Sequence, residues 1–425
     1  MSKVIENLEI NRVMKDSGIK WMGEIPKEWS VVKYKTFSHN TKGETILKTD
    51  VTNDGIPVYS ASKDGEIFGY IKSAKKILSY GDLVIPARGT IGITHFITDE
   101  IATCTQTTIC SKLKDVNKRF IYHCSCGLKE YWFEFTQTAV PQLTVEQVKN
   151  NLVPHPPLHE QQAIANYLDE KVEKIDQLIA EQNQSIDKWK EYKQSLITET
   201  VTKGLNPNVE MKDSGIEWIG KIPSNWDKRK ISNLFTLIGS GTTPTSSDLK
   251  YYDDGEIPWL NTGDLNDGYL YTPKNKITSH ALNDYSTLKM YPEDTLIVAM
   301  YGATIGKLGI TTYKTTTNQA CCALSNPKNC ITKFIFYWFY GNKTEIINLS
   351  RGAGQPNISQ NIIKNLILFI PPLHEQQAIA EFLDEKVERV DQAIEQKQTL
   401  IKQLEEYKQS LIYECVTGKI EVRER

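Results

Sequence analysis

The loop that contains Gly302 and Gly306 has the residue types of a phosphate-binding loop. It follows an apolar run and continues as Lys307, so its backbone could hold a phosphate group. However, the spacing between the two glycines is one residue too short, and Leu308 stands where Ser or Thr would be required. A related loop, RGTIGI, begins at Arg88 and has no lysine. We therefore predict a tight turn with a recognition role rather than a nucleotide site.

Cysteine and histidine side chains do not form a metal-binding or catalytic pattern. Cys124 and Cys126 stand beside His123, but a second ligand pair at metal spacing is missing, and no CxxC pair occurs. His159 and His374 recur in LHEQQ, where packing or partner contact is favoured over catalysis. No GxGxxG follows a strand, and no Asn-Pro-Pro-aromatic tetrapeptide is present. We predict reduced thiols, no metal and no catalytic residues.

Polar residues in several loops have the side-chain types that read DNA. Arg can bridge guanine, Asn or Gln can bridge adenine, and Ser, Thr and backbone groups bind phosphates. A solvated loop residue remains the alternative for any single member of the set. The candidates are Ser60, Ser62, Lys63, Arg88 and Thr90 in the first half of the chain, and Ser240, Thr242, Thr243, Asn261, Thr304, Lys307, Arg351, Gln355 and Asn357 in the second.

Short apolar runs between turn residues must position these loops. Runs such as 56–59, 83–86, 295–300 and 366–370 are typical of β-strands, which indicates domains of mixed α and β structure. The two halves also match faintly: DGIPVYSAS with DGEIPWLNT, GDLVIPARGTIG with EDTLIVAMYGATIG, and VPQLT with QPNIS. We predict one fold with two different surfaces.

Two longer matches show that the chain contains a duplication. MKDSGIKWMGEIPKEW at Met14 and MKDSGIEWIGKIPSNW at Met211 share 11 of 16 residues. The 24-residue segments that begin PPLHEQQAIA at Pro156 and at Pro371 share 19. The predicted order is a short segment at 1–29, a variable domain at 30–155, a helix at 156–203, the second copy of the short segment at 204–226, a second variable domain at 227–370 and a second helix at 371–425.

Each PPLHEQQ segment opens a run of some 45 residues without Gly or Pro, which predicts a long helix. Apolar residues in alternating steps of three and four predict a coiled-coil seam. Antiparallel pairing would bring Gln182 and Lys397 together at the centre, and a paired stretch of roughly 40 Å would separate the domains by about one DNA turn. The seam comprises Leu168, Val172, Ile175, Ile179, Ile186, Leu383, Val387, Val390, Ile394 and Ile401. The predicted fold class is α+β, with two mixed α/β domains, two antiparallel coiled-coil helices and a pseudo-twofold repeat.

The net charge of −2 is unusual for a nucleic-acid-binding protein, but the charge is unevenly distributed. Residues 30–150 carry 15 Lys and Arg against 12 Asp and Glu, and residues 227–370 carry 14 against 11. The helices are acidic, with 6 against 9 at 157–203 and 5 against 10 at 372–415. No run approaches the roughly 18 apolar residues of a membrane span, so we expect a cytoplasmic protein.

The doubled PPLHEQQAIA, the doubled DSGI-W-G-IP and GATIG followed by TNQACCAL resemble the specificity subunit of type I restriction-modification enzymes. The resemblance covers nearly the whole chain. It implies two target-recognition domains, each reading one half of a bipartite double-stranded DNA target through the major groove. The first domain departs from the pattern, since it lacks the GTTP and IPWLNTGDL elements of the second.

The same resemblance implies that catalysis lies in partner subunits. Two methyltransferase subunits would bring S-adenosylmethionine, flip an adenine and methylate it, and would dock on the helices and short segments. Two motor-nuclease subunits would use ATP and magnesium, and this chain would hold no cofactor. Three alternatives stay open: a nuclease or methyltransferase in its own right, a coiled-coil scaffold without DNA, and the specificity subunit of a modification-only or other multisubunit restriction system.

Overall fold

A computed structural model describes residues 12–62, 65–132, 142–349 and 357–422. The chain forms two compact units, one from Met1–Asn183 with Gln398–Arg425 and the other from Gln184–Lys397. Each unit therefore contains one variable domain, one copy of the short repeated segment and a part of each long helix.

The first unit is built around an antiparallel sheet. Its four strands have the order β4-β10-β7-β8, and a three-stranded sheet of order β6-β5-β9 contains a parallel pair, β5 with β9. The elements are β1 (Met14–Asp16), β2 (Glu24–Pro26), β3 (Ser30–Lys33), β4 (Ser38–Lys42), β5 (Ile56–Tyr59), β6 (Ile67–Ile71), β7 (Leu83–Pro86), β8 (His95–Phe96), β9 (Thr103–Cys104), β10 (Thr108–Leu113), α1 (Lys118–Gly127), α2 (Lys129–Trp132), α3 (Val145–Asn150), β11 (Leu152–His155) and the first part of α4 (Leu158–Lys203).

The second unit repeats this plan with a larger main sheet. Its five strands have the order β15-β22-β19-β20-β17, and the smaller sheet β18-β16-β21 again contains a parallel pair, β16 with β21. The elements after α4 are β12 (Met211–Asp213), β13 (Lys221–Pro223), β14 (Asp227–Lys230), α5 (Ile231–Leu234), β15 (Phe235–Gly239), β16 (Ile257–Leu260), β17 (Gly268–Leu270), β18 (Lys276–Ile277), α6 (Ser279–Asp284), β19 (Leu296–Ala299), β20 (Leu308–Thr311), β21 (Thr316–Thr317), β22 (Cys321–Pro327), α7 (Thr332–Gly341), α8 (Lys343–Asn348), α9 (Gln360–Asn365), β23 (Ile367–Ile370) and α10 (Leu373–Val416).

The pairing of the strands confirms that the two variable domains share one fold. In the first unit β10 pairs antiparallel with both β4 and β7, and in the second β22 pairs antiparallel with both β15 and β19. The apolar runs predicted from sequence form these strands because their side chains are buried on the sheet: all four residues of β7 and all four of β19 are buried. The run predicted at 295–300 is a shorter strand, β19.

The two long helices are α4 and α10, and they run antiparallel. Lys193, in the C-terminal half of α4, forms an ion pair of 2.7 Å with Asp391 in the N-terminal half of α10. Asp176, in the N-terminal half of α4, forms one of 2.6 Å with Lys408 in the C-terminal half of α10. The two pairs are related by the repeat, and their crossed halves are the pattern of an antiparallel pair. All ten predicted seam residues are buried or half-buried.

The LHEQQ motif attaches each long helix to its unit. Glu160 accepts a hydrogen bond from Trp29 Nε1 at 3.0 Å, and Glu375 accepts one from Trp226 Nε1 at 3.2 Å. Gln161, the next residue, is fully buried; its Oε1 accepts from the backbone N–H of residue 117, and its Nε2 donates to the carbonyl of residue 156. His159 and His374 are exposed in the same turn. The repeated Glu and Gln thus hold the start of each long helix against its unit, whereas the histidine of the same turn is exposed to solvent.

A charged joint holds α1 of the first unit against α4. Arg119 Nε lies 2.7 Å and His123 Nε2 lies 2.6 Å from the same oxygen of Asp169. Burial lowers the pKa of His123, which favours a neutral ring that donates to the carboxylate. Burial raises the pKa of Asp169, but the hydrogen bonds from His123 and Arg119 outweigh it and leave that pKa lowered.

The second unit contains the same joint with different side chains. Lys333 Nζ lies 3.1 Å from Asp384, and the Tyr337 hydroxyl donates to the same carboxylate at 2.6 Å. Burial and the bond to Asp384 raise the pKa of Tyr337. The lysine also lies 4.2 Å from the centre of the Tyr269 ring, a favourable cation–π distance. The variable domain is therefore joined to the long helix in the same way twice.

The first short segment contacts residues at the end of α10 and just after it. The Tyr413 hydroxyl donates to the Trp21 carbonyl at 2.7 Å, and Lys419 Nζ donates to the Met22 carbonyl at 2.9 Å. Among the described residues, no group of three or more His, Cys, Asp or Glu side chains could hold a metal ion. No helix in this part of the chain is long and apolar enough to cross a membrane.

Candidate nucleic-acid interface

Four chain segments lie side by side at one end of the strands of the second unit. The backbone N–H of Asn318 donates to Leu260 O at 2.8 Å, which joins the turn before β22 to the end of β16. On its other side the turn accepts, through Ala320 O, a hydrogen bond of 2.8 Å from Met300 N. Met300 O in turn accepts from Ile358 N at 2.7 Å. Segments 261, 318–320, 301–304 and 357 therefore form one continuous surface.

The first unit builds the same surface with the same backbone bonds. Thr105 N donates to Tyr59 O, Ala87 N donates to Thr107 O and Leu143 N donates to Ala87 O, all at 2.9 Å. Segments 60–62, 105–107, 88–90 and 142 are therefore neighbours in the order found in the second unit. We call these two sets of segments the strand-end surfaces. They bring together candidates that are far apart in the sequence.

Hydrogen bonds within the protein hold several candidates of the second unit. The Thr243 hydroxyl donates to Gln319 Oε1 at 2.7 Å, next to the strand-end surface. Asn261 Oδ1 accepts from Gly263 N at 3.0 Å, so this side chain caps the short 3₁₀ turn that follows β16. Asn357 is exposed and pairs with Tyr301 as an isolated β-bridge. Contacts within the protein therefore hold these three candidates in place, although Thr243 and Asn357 are exposed to solvent.

The loop that imitates a phosphate-binding loop is a hairpin connection. Gly302–Thr304 forms a 3₁₀ turn between β19 and β20, which pair antiparallel, so no helix follows the glycines as a phosphate site requires. Thr304 and Lys307 are half-buried, and Lys307 O accepts a hydrogen bond of 2.9 Å from Ala299 N. This geometry agrees with the predicted tight turn.

Ser240 and Thr242 flank a glycine that the fold requires. Both are half-buried after β15, and Thr242 O accepts from Trp259 Nε1 at 3.1 Å. At Gly241 a Cβ atom would lie 1.8 Å from the Thr317 carbonyl oxygen, so no other residue fits without a backbone shift. This close approach places the segment after β15 against the segment before β22.

The candidates of the first unit occupy two contacting loops. The Thr90 hydroxyl donates to Ala61 O at 3.1 Å, so the loop after β7 touches the loop after β5. Arg88 is exposed, and its Nη2 donates to Gln142 Oε1 at 3.2 Å. Ser60 and Ser62 are half-buried beside them, and the Ser62 hydroxyl has no partner among the described residues. Lys63, Arg351 and Gln355 lie outside the described residues.

Sequence reasoning missed four residues of the strand-end surfaces. Gln142 and Tyr301 are direct neighbours of chosen candidates. Gln106 and Gln319 lie in the turns 105–107 and 318–320, which we call the central turns. A signal for the two turns was present, because TCTQTT at Thr103 and TTTNQA at Thr315 align on their glutamines once the strands are matched. The surfaces carry amide, hydroxyl and guanidinium groups, which suit binding to polar base edges and phosphates.

Comparison with known proteins assigns the chain to a family. A family model described as "Type I restriction modification DNA specificity domain" matches residues 26–188 and 223–406. The type I restriction enzyme MjaVIII specificity subunit of Methanocaldococcus jannaschii is 24% identical over 94% of this chain and 94% of its own length. A putative MjaX specificity subunit of the same organism is 28% identical over 67% of this chain and 63% of its own length.

Two solved structures share the fold. One, from work on "complex assembly and conformational transition of the type I R-M system", has a TM-score of 0.72 and 16% identity over 93% of this chain and 99% of its own. The HsdS subunit from Thermoanaerobacter tengcongensis has a TM-score of 0.52 and 15% identity over 93% of this chain and 98% of its own.

Proposed function

Because the chain belongs to the family of type I restriction modification DNA specificity domains, we propose that its two variable domains read the two halves of a bipartite, asymmetric DNA target. Residues 30–155 would read one half-site and residues 227–370 the other, each through the strand-end surface of its unit. Double-stranded DNA is the ligand, and the chain supplies sequence specificity without catalysing a reaction.

The observation that carries the proposal is one backbone arrangement built twice with different side chains. Ser60 and Asn261 both follow the strand that pairs in parallel with the strand before the central turn. In the first unit Arg88 bonds to Gln142, and at the equivalent place in the second unit Tyr301 pairs with Asn357. A surface whose frame is fixed while its exposed groups vary is what two different base sequences require. The candidates at 60, 62, 63, 88 and 90, and at 240, 242, 243, 261, 304, 307, 351, 355 and 357, are proposed contacts on this basis.

We propose that the long helices set the spacing of the half-sites and dock the methyltransferase subunits. Their exposed faces are acidic, which opposes DNA contact and leaves them free for protein partners. Leu158 and Leu373 are identical between the copies, and they are 62% and 50% exposed, so burial does not explain why this apolar residue recurs.

Catalysis and cofactors belong to the partners in this proposal. Two methyltransferase subunits would use S-adenosylmethionine, and two motor-nuclease subunits would use ATP and magnesium. The complex would act in the cytoplasm, where it meets DNA.

Co-expression with the methyltransferase subunit of its own system tests the proposal. Sequencing of methylated bases in a host without other methyltransferases should reveal one bipartite target with two dissimilar halves. This chain expressed alone should leave the genome unmethylated. Methylation by this chain alone, or methylation by the pair at a single continuous site, would contradict the proposal.

A further inference from the structure

The central turn of each strand-end surface contains a glutamine at the equivalent position. Gln106 lies between Thr105, which bonds to the end of β5, and Thr107, which bonds to the end of β7. Gln319 lies between Asn318 and Ala320, which make the corresponding bonds to β16 and to Met300 after β19. Each glutamine therefore stands between the segments that carry the other candidates.

These glutamines are identical although the positions around them differ. In the turns, Thr105 and Thr107 of the first unit correspond to Asn318 and Ala320 of the second. The flanking positions differ as well, with Ser at 60 against Asn at 261 and Arg at 88 against Tyr at 301. The backbone bonds of the turn use main-chain atoms only, so the fold of the turn does not by itself require glutamine.

Both side chains use their oxygen in the same way. Gln106 Oε1 accepts from Ile46 N at 3.2 Å, and Gln319 Oε1 accepts from the Thr243 hydroxyl at 2.7 Å. Residues 46 and 243 both follow the first strand of the main sheet, β4 and β15. One contact on the oxygen fixes the plane of the amide and leaves that oxygen a second lone pair.

The amide nitrogens are available to a ligand. Within residues 12–62, 65–132, 142–349 and 357–422, neither Gln106 Nε2 nor Gln319 Nε2 has a hydrogen-bond partner. Gln319 is exposed and Gln106 is half-buried. A fixed amide with two free N–H groups and one free lone pair matches adenine in the major groove, where N7 accepts and the N6 amino group donates.

We propose that Gln106 and Gln319 are specificity-determining residues, each of which contacts an adenine in its own half-site. This inference rests on the proposed function. Since the two turns are equivalent in the two domains, the two half-sites share, besides the adenine that is flipped and methylated, an adenine at the corresponding place although the rest of their sequences differ.

The substitution Gln319→Glu separates base reading from a structural role. Glutamate keeps an oxygen for the Thr243 hydroxyl but replaces the N–H donor with a second acceptor, which disfavours adenine and favours the amino group of cytosine. The full-length subunit is co-expressed with its methyltransferase partner, and methylated sites are sequenced across the genome. We expect the preference for adenine at one position of the second half-site to fall roughly 5- to 150-fold, with every other position unchanged. Gln106→Glu should do the same in the first half-site.

Two further variants complete the design. Gln319→Met has a similar length and no polar group, so it should relax the same position without favouring cytosine. Glu256→Gln, an exposed position just before β16 and therefore at the opposite end of that strand from Asn261, should leave the target unaltered.

Several results would overturn the inference. They are a wild-type target with a half-site that requires adenine only at the methylated position, a Gln319→Glu target identical to wild type, a change in both half-sites, or a Gln319→Met protein that methylates all wild-type sites equally less. If the wild-type pair methylates no defined bipartite site, the proposed function itself fails, and the variants are not needed to show it.

Discussion

Gln376 offers the sharpest test of how the repeated LHEQQ motif works, because its neighbour Gln377 is a matched control. Gln376 is fully buried at the start of α10. Its Oε1 accepts from Ile331 N at 2.9 Å, and its Nε2 donates to Pro371 O at 2.9 Å and to Asn329 O at 3.4 Å. The side chain therefore ties the long helix to the residues that precede α7.

Gln376→Ala should destabilise the second unit by about 2–4 kcal/mol. The substitution leaves the Ile331 N–H and the Pro371 carbonyl without partners, and each buried unpaired group costs roughly 1–3 kcal/mol. The small cavity adds to this cost, while the long 3.4 Å contact adds little. For a unit of this size the unfolding temperature should fall by roughly 5–15 °C.

Hydrogen exchange of the intact subunit, followed by mass spectrometry, can measure this in the second unit alone. Peptides that cover 328–341 should lose protection in Gln376→Ala and keep it in Gln377→Ala, whose side chain bonds, among the described residues, only to the exposed Glu381. The account of the motif would be refuted if the two variants exchanged alike, or if thermal unfolding of Gln376→Ala matched that of the wild type.

Three other outcomes follow from the described contacts. Burial lowers the pKa of His123, so the unfolded chain binds more protons than the folded one as the pH falls through about 6.5, the ordinary range of histidine, and the first unit should lose stability there. His123→Tyr introduces the side chain of the second unit and should lose less unfolding free energy than the wild type in urea unfolding at pH 5.5. Equal losses would contradict this. Gly241→Ala should lower the unfolding temperature of the second unit, since its Cβ would lie 1.8 Å from the Thr317 oxygen. Gly215→Ala, with no atom within 4 Å of the Cβ, should cost only the strain of its positive φ. Calorimetry that finds Gly241→Ala to be the milder change would contradict this. Arg88→Ala should weaken discrimination in the first half-site by about 1–3 kcal/mol and leave the second intact, as sequencing of methylated sites can measure, and a uniform loss over both would argue against a base contact.

The first long helix could be predicted to within two residues, whereas the second ends at Val416 rather than at the predicted 425, and the polar contacts between the helices could not be predicted. The Pro-Pro start and the glycine after each run limit the helix, and the observed bounds are Leu158–Lys203 and Leu373–Val416. Lys193 and Lys408 lie seven residues beyond the last predicted seam residues, Ile186 and Ile401. Their partners, Asp391 and Asp176, depend on the register between two helices, which the periodicity of one helix does not contain.

The candidate site could be predicted by residue type but not by arrangement. The order of strands in the sheet determines which loops are neighbours, and β5 pairs in parallel with β9, more than forty residues further along the chain. This long-range pairing places Gln106 beside Ser60, and no local pattern reports it. Side-chain type also cannot separate a base reader from a structural cap, as Asn261 shows by capping its own turn.

Exchange of one variable domain shows whether each domain reads its own half of the DNA. Residues 30–150 are replaced by the corresponding segment of another specificity subunit whose target is known, and methylated sites are sequenced with the methyltransferase partner present. The half-site read by the first domain should become that of the donor, while the second half-site should stay as it was. A change in both half-sites, or in neither, would contradict the claim that each variable domain reads its own half of the DNA.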